Sequence, residues 1–257
     1  MYYPKKSLGQ NFLNDQNIIG KITEVINIRN KNVVEIGPGL GAITDKILKK
    51  KPKSLILIEK DKNLLDRLKS KYKNEKFIFF YNSDILKLSI EKIIKKDSII
   101  FGNLPYNISS QILIKLIKLK KWPPKYDNLI LMFQKEVAEK ITGKSYGRLS
   151  VISNYRLKVR NNFNVSANCF YPKPKVTSTV LHLSPIDLKK FQIKDIKNLE
   201  FITHLFFSNK RKMIKKNLEK IFNKKQIEKF DNIKLSLRPS DLSKEFYYQA
   251  TEIFESS

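Results

Sequence analysis

Residues 103–106 read Asn-Leu-Pro-Tyr and follow an apolar run, Ser98-Ile99-Ile100-Phe101. Such a run reads as a buried strand, and Pro105, which cannot donate to a ladder, marks its end. An amide, a rigid turn and an aromatic ring are thus presented together at the carboxyl end of a strand, where open α/β sheets place their chemistry. Earlier, Glu35-Ile36-Gly37-Pro38-Gly39-Leu40-Gly41 joins one apolar run to a helical one. Glycines there let the backbone turn tightly and approach a ligand closely. The next two apolar runs lead into Glu59 and into Asn82-Ser83-Asp84. Three successive strand ends therefore carry a glycine loop, a carboxylate and a carboxylate, and a further one carries the amide and the ring.

Two ligands suit that outline. A dinucleotide calls for G-x-G-x-x-G, with a helix N-terminus on the pyrophosphate. The loop here is G-x-G-x-G with an acid at 35. That spacing better suits S-adenosylmethionine, which has no phosphate to cradle. Its ribose diol can bond both oxygens of Glu59, and its adenine amino group can donate to Asp84. A glycine turn with incidental acids is the bland alternative. The convergence of Asp84 and residues 103–106 on the same sheet end weighs against it.

The elements that must position these groups alternate. Strands are expected at 32–36, 54–58, 77–81, 97–101 and 128–133, with helical spacing at 42–50, 62–72, 86–95 and 108–119. Near-continuous apolar strands separated by helices predict an α/β fold with a mostly parallel, doubly wound sheet. Residues 147–156 fit helix or strand, and helix is favoured. Two later strands, 156–165 and 176–183, have no helix between them and predict an antiparallel edge hairpin. A boundary falls near Ser184-Pro185. Residues 1–184 are expected to form the catalytic, cofactor-binding domain and 185–257 a small all-α C-terminal domain. Helices are expected there at 195–207, 210–222, 224–230 and 240–255, the last capped by Pro239-Ser240-Asp241-Leu242.

The chain has 257 residues, 41% of them hydrophobic, enough to bury a full core. No apolar run approaches the roughly 18–20 residues that span a bilayer, and the start, Met1-Tyr2-Tyr3-Pro4-Lys5-Lys6, lacks the apolar segment of a signal peptide. A soluble cytoplasmic protein with no membrane partner is expected. Cys169 is the single cysteine and His182 and His204 the only histidines, too few for a zinc site without carboxylates, so no metal is expected. The net charge of +27 draws the chain to polyanions, nucleic acid above all. Arginine stands only at 29, 67, 148, 156, 160, 211 and 238, so lysine supplies 44 of the 51 basic residues. With Ile and Asn also abundant, part of that charge reflects an A/T-rich codon bias.

The order of motifs resembles the ribosomal RNA adenine N6,N6-dimethyltransferases, in particular the universal small-subunit type. The resemblance runs from Gly9-Gln10-Asn11-Phe12-Leu13 through Glu35-Ile36-Gly37-Pro38-Gly39, Asn103-Leu104-Pro105-Tyr106-Asn107-Ile108-Ser109, Gln134-Lys135-Glu136-Val137, Tyr146-Gly147-Arg148-Leu149-Ser150-Val151 and Phe170-Tyr171-Pro172-Lys173-Pro174-Lys175-Val176 to Asn209-Lys210-Arg211-Lys212. It implies a Rossmann-like class I methyltransferase domain and S-adenosylmethionine held by Asn11, Leu13, Gly37, Glu59, Asp84 and Asn103. It also implies dimethylation of two adjacent adenines in a hairpin loop near the 3′ end of small-subunit RNA, within a maturing small (pre-30S) particle. Macrolide-resistance enzymes that methylate large-subunit RNA share the opening motif, but their target-base motif looks more like Asn-Ile-Pro-Tyr. Leu104, Asn14-Asp15-Gln16 and the Tyr-Gly-Arg-Leu-Ser block favour the small-subunit type, whereas Lys173 is nearer the resistance type.

On this reading Asn103 and the Leu104 carbonyl accept from the adenine amino group, Pro105 shapes the turn, and Tyr106 and Phe170 stack on the base. RNA would lie across Arg148, Lys173, Lys175 and Lys210-Arg211-Lys212, and a monomer is expected. For 210–216 a solvated helix face is an equal alternative. A catalytically silent ribosome-assembly factor and a nicotinamide oxidoreductase are the competing readings. Intact Asn103, Glu59 and Asp84 argue against the first and the loop spacing against the second.

Overall fold

The computed structural model describes residues 3–186, 190–230 and 233–256; of the N-terminal stretch read for a signal segment, Met1 and Tyr2 lie outside them. The chain divides into two compact units. The first comprises Met1–Ala138 with Leu157–Pro185, the second Glu139–Arg156 with Ile186–Ser257. Its elements in order are β1 (Phe12–Leu13), α1 (Gln16–Glu24), β2 (Asn32–Ile36), α2 (Ala42–Lys49), β3 (Ser54–Glu59), α3 (Lys62–Lys71), β4 (Ile78–Asn82), β5 (Ser98–Asn103), α4 (Ser109–Ile117) and β6 (Tyr126–Gln134). There follow α5 (Lys135–Thr142), α6 (Arg148–Arg156), β7 (Leu157–Val165), β8 (Phe170–Tyr171), β9 (Ser178–Pro185), α7 (Ile196–Phe207), α8 (Lys215–Glu219), α9 (Lys224–Ile227) and α10 (Lys244–Glu255).

The main sheet runs β4-β3-β2-β5-β6-β9-β7. The first five strands are parallel, and β9 pairs antiparallel with both β6 and β7. The later strand of the expected hairpin is therefore the inner one. All six residues of β3 are buried, as are four of the five in β2. That double-sided burial is why these strands read as continuous apolar runs instead of alternating ones. Asp15 and Asp61 cap α1 and α3 by accepting from backbone amides of the first turn.

The expected domain division is modified in one respect. Residues 139–156, the end of α5 and all of α6, belong to the second unit although they lie well before Pro185. There the Tyr248 hydroxyl donates to the Val151 carbonyl at 3.0 Å, and the rings of Tyr155 and Tyr248 lie 5.0 Å apart. The core of that unit is aromatic, with Phe206, Phe246 and Tyr247 in mutual edge contact.

Several expected helices are shorter or absent. Residues 86–95 hold one 3-10 turn, Ile90–Lys92. Ile85, Ile90 and Ile94 are buried through turns that start at the Asp84 carbonyl, which accepts from Lys87 and Leu88. Of 210–222 only α8 is helical, because residues 208–213 are all exposed and offer no apolar face to pack. Residues 224–230 give the four-residue α9. Residues 239–241 form a separate 3-10 turn, and Ser243, accepting from the Phe246 amide, is the cap of α10.

Glu35 is an acid inside this frame, 1% exposed on β2, with its Oε2 accepting from the Thr44 hydroxyl at 2.6 Å. Burial pushes its pKa from 4.5 up to about 8. A carboxyl that holds its proton more tightly when folded stabilises the fold most below its unfolded value, and the contribution is lost as pH rises through the folded one. The wild-type melting temperature is expected to fall between pH 4.5 and about 8 by more than that of Glu35→Gln. Parallel thermal melts of the two proteins check this, and coincident pH profiles would contradict it.

Candidate active site

Strands β2 and β5 are neighbours, but the chain leaves β2 toward β3 on one side and β5 toward β6 on the other. Their carboxyl ends therefore part and leave a crevice. Gly37 stands just past β2 (φ +69°), and a Cβ on it would lie 3.8 Å from the Asn103 carbonyl oxygen at the end of β5. Gly39 has φ +58°, and a Cβ there would come within 3.0 Å of the Phe12 ring. The left-handed φ at both positions, and the crowding at Gly39, explain why glycine occupies the loop. The cavity so formed measures about 160 Å³, and Asn11, Leu13, Gly37, Glu59, Asp84 and residues 103–106 all line it.

The two acids are prepared differently. Glu59 is 7% exposed; its Oε1 accepts from the Asp61 amide at 2.9 Å and its Oε2 from the Gly39 amide at 3.2 Å. Burial raises its pKa and those backbone donors oppose the rise. Asp84 is held ionised chiefly by Lys60, whose ammonium lies 2.9 Å from its Oδ2, and by the Leu86 amide on Oδ1. An ionised carboxylate offers about four lone-pair positions, so each acid keeps acceptor capacity toward the cavity.

The N-terminal segment is fastened over the same strand ends. The Lys5 ammonium lies 2.7 Å from the buried Asp61 carboxylate, and the Lys5 amide donates to Gln10 Oε1 at 2.7 Å. The Asn103 side chain donates through Nδ2 to the Asn11 carbonyl at 2.9 Å. That bond fixes which end of the amide is nitrogen and leaves Oδ1 as the acceptor end.

Leu104 is 1% exposed, so its side chain serves packing and only its backbone can serve chemistry. It lies against Gly102, where an added Cβ would meet it at 2.6 Å. The Tyr106 hydroxyl shares a short hydrogen bond with Ser178 of β9, which anchors the ring from across the sheet.

Phe170 is the one predicted catalytic-site residue that does not line the cavity. It is 4% exposed and lies in the hydrophobic core with Leu13, Val165 and Cys169. The pairing of β8 with β1 sets Phe170 opposite Leu13, on the core side of that two-stranded ribbon. Of the basic residues, Lys173 and Lys175 are exposed on the first unit. Arg148, paired with Glu200 at 3.5 Å, and the exposed Lys210, Arg211 and Lys212 belong to the second. Lys60, Asp61, Phe12 and Ser178 were not foreseen. Lys60 and Asp61 follow Glu59 directly and had a positional signal, whereas nothing near Ser178 in sequence points to Tyr106.

The profile of the family described as ribosomal RNA adenine dimethylase matches residues 2–256. The chain belongs to that family. It is accordingly a ribosomal RNA adenine methyltransferase that uses S-adenosylmethionine as methyl donor. It is 44% identical to the ribosomal RNA small subunit methyltransferase A of Pelagibacter ubique (strain HTCC1062), over 98% of this chain and 97% of that one. It is 39% identical to the protein of the same name from Mesomycoplasma hyopneumoniae (strain 232), over 98% and 96%. Among solved structures, a dimethyladenosine transferase from Plasmodium falciparum superposes with TM-score 0.75 at 25% identity, over 95% of this chain and 98% of the other. The 23S rRNA methyltransferase ErmE, at 22% identity, TM-score 0.71 and 95% and 99% coverage, shares the fold.

The residues present fit that donor. A cleft with two carboxylates at successive strand ends and glycine turns without Cβ atoms matches a ligand with a ribose diol, an amino-purine and no phosphate. Among the described residues no cluster of three or more His, Cys, Asp or Glu side chains could hold a metal ion.

Ser178→Ala removes the anchor of Tyr106 and nothing that lines the cavity. One such hydrogen bond is worth about 0.5–1.5 kcal/mol, so the KM for RNA is expected to rise about two- to tenfold. Affinity for S-adenosylmethionine, measured by calorimetry, is expected to stay unchanged, and a loss confined to cofactor affinity would contradict the anchoring role.

Proposed function

We propose that this chain dimethylates two adjacent adenines in a hairpin loop near the 3′ end of small-subunit ribosomal RNA. It acts as a monomer, in the cytoplasm, on a partly assembled small subunit. The observation that carries the reading of the site is the Asn103–Asn11 bond, because it aims an amide oxygen instead of an amide nitrogen at the incoming base. The small-subunit assignment is supported by the names of the relatives above and by Leu104 within the Asn-Leu-Pro-Tyr turn. No observation on the chain favours a silent assembly factor, since every polar group the chemistry needs lines one cavity.

Adenine's exocyclic nitrogen is a poor nucleophile because its lone pair is delocalised into the ring. Asn103 Oδ1 and the Leu104 carbonyl accept its two hydrogens, which favours a pyramidal nitrogen with its lone pair free. Pro105 holds the turn that sets those acceptors side by side, and Tyr106, tethered to Ser178, presents a face for the base. S-adenosylmethionine, when bound, supplies a methyl group on a sulfonium and departs as a neutral thioether. Glu59 receives the ribose hydroxyls and Asp84 the adenine amino group of that donor, with Gly37, Asn11 and Leu13 forming the wall beside it. Orientation is the main catalytic term, and well-placed reactants gain about 7–11 kcal/mol. The proton displaced from the methylated nitrogen passes to water. Lys173 and Lys175 on the first unit and Arg148, Lys210, Arg211 and Lys212 on the second contact RNA phosphates, with an affinity that weakens as salt rises.

Asn103→Ala is expected to keep the fold and to cut methyl transfer at least about a hundredfold, the scale of losing one preorganised electrostatic contact. Radiolabelled transfer to unmethylated small subunits measures it, and near-normal turnover would refute the role. Mass spectrometry of small-subunit RNA from cells with and without the protein tests the substrate. Dimethyladenosine absent from the loop, or present in large-subunit RNA instead, would overturn it.

A further inference from the structure

The first unit carries an exposed aromatic ring, directly paired to the cavity wall, that the chemistry above leaves unused. Tyr171 is 63% exposed, whereas Phe170 beside it is 4% exposed. Antiparallel pairing sets Tyr171 opposite Phe12 and Phe170 opposite Leu13. Directly opposed residues project from the same face, with Cβ atoms about 4.5–5.5 Å apart. Leu13 and Phe170 are on the core side, so Phe12 and Tyr171 share the other. Phe12 lines the cavity and packs against Gly39. Tyr171 therefore stands next to Phe12, itself a residue of the cavity wall. Among the described residues no hydrogen bond, ion pair or ring contact engages its side chain. Two exposed ammonium groups, Lys173 and Lys175, follow it within four residues.

A free aromatic face beside a row of cations is the recipe by which proteins hold single-stranded nucleic acid, the ring taking a base and the lysines the backbone. The same physics supplies a need. When one adenine of an adjacent pair is drawn into the cavity, its neighbour loses a stacking partner, which costs a few kcal/mol unless a surface replaces it. We propose that Tyr171 is that surface: it stacks on the nucleotide next to the adenine being methylated and is a positioning residue for RNA. The inference deepens the ribosomal RNA reading and rests on it. The two adenines can then exchange places, one in the cavity and the other on Tyr171, without the loop leaving the protein.

The test compares wild type, Tyr171→Ala and Tyr171→Phe in three measurements. These are calorimetry with S-adenosylmethionine, steady-state methylation of unmethylated small subunits, and fluorescence of a synthetic hairpin carrying 2-aminopurine on either side of the target adenine. Tyr171→Ala is expected to raise the KM for RNA about tenfold, with kcat and cofactor affinity near wild type, the effect of losing one base–aromatic stack. Wild type should quench 2-aminopurine in one flanking position, Tyr171→Ala should not, and Tyr171→Phe should restore both quenching and KM. An unchanged KM in Tyr171→Ala, or no rescue by Tyr171→Phe, would overturn the proposal while leaving the methyltransferase intact. Wild type that quenches the probe but transfers no methyl group would instead overturn the activity, and the quenching series alone would still decide Tyr171.

Discussion

Two parallel strands, β2 and β5, lie side by side while their connections diverge, and most of the site depends on that parting. Each strand must hand its chain to a helix that packs on the sheet, and right-handed crossovers send the two helices to opposite faces. The gap between the departing loops leaves room at Gly37 such that a Cβ placed there would only reach ordinary van der Waals contact with the Asn103 carbonyl. Glu59 and Asp84 join because β3 and β4 are the next strands along and end at the same level, with Glu59 paired to Asn82. The glycine loop, the two acids and the Asn-Leu-Pro-Tyr turn are thus set around one cavity by strand order.

The second constraint is the bridging of that gap by the N-terminal segment. Lys5 reaches Asp61, a residue that also caps α3, and Asn11 offers its carbonyl to Asn103. One side-chain amide is therefore divided between two ends: its nitrogen fastens the segment and its oxygen remains an acceptor. A donor removed from Asn103 would free the segment and disorder the acceptor together. Burial assists in the same region, because a carboxylate such as Glu59 gains more from each backbone donor when water is excluded.

Binding RNA asks something different of the surface. Charge is spread widely over both units, and much of it is lysine that the composition would supply in any case. The segment from Tyr171 to Lys175 combines a ring without a partner among the described residues with two exposed cations, Lys173 and Lys175. Arg148, by contrast, spends part of its charge on Glu200 within its own unit. Specific positions, and not the total of +27, are what distinguish a nucleic-acid surface from a solvated one.

The parallel strands were legible because burial on both faces writes a continuous apolar run, and 32–36 matched β2 residue for residue. The glycine loop, both acids and the Asn-Leu-Pro-Tyr turn were legible because each follows such a run directly. Residues 86–95 misled because buried isoleucines five and four apart suit a chain of turns as well as a helix. Residues 147–156 were ambiguous because α6 is buried on most sides, which erases the periodicity that marks a helix. The chain's own order of residues determined the strand ends and the chemical groups they carry. Tertiary structure alone decided that 139–156 packs with the second unit, that Phe170 turns into the core while Tyr171 faces out, and that Ser178 holds Tyr106. Those outcomes depend on pairings between residues far apart in the chain, such as Leu13 with Phe170 across 157 positions, which no local pattern encodes.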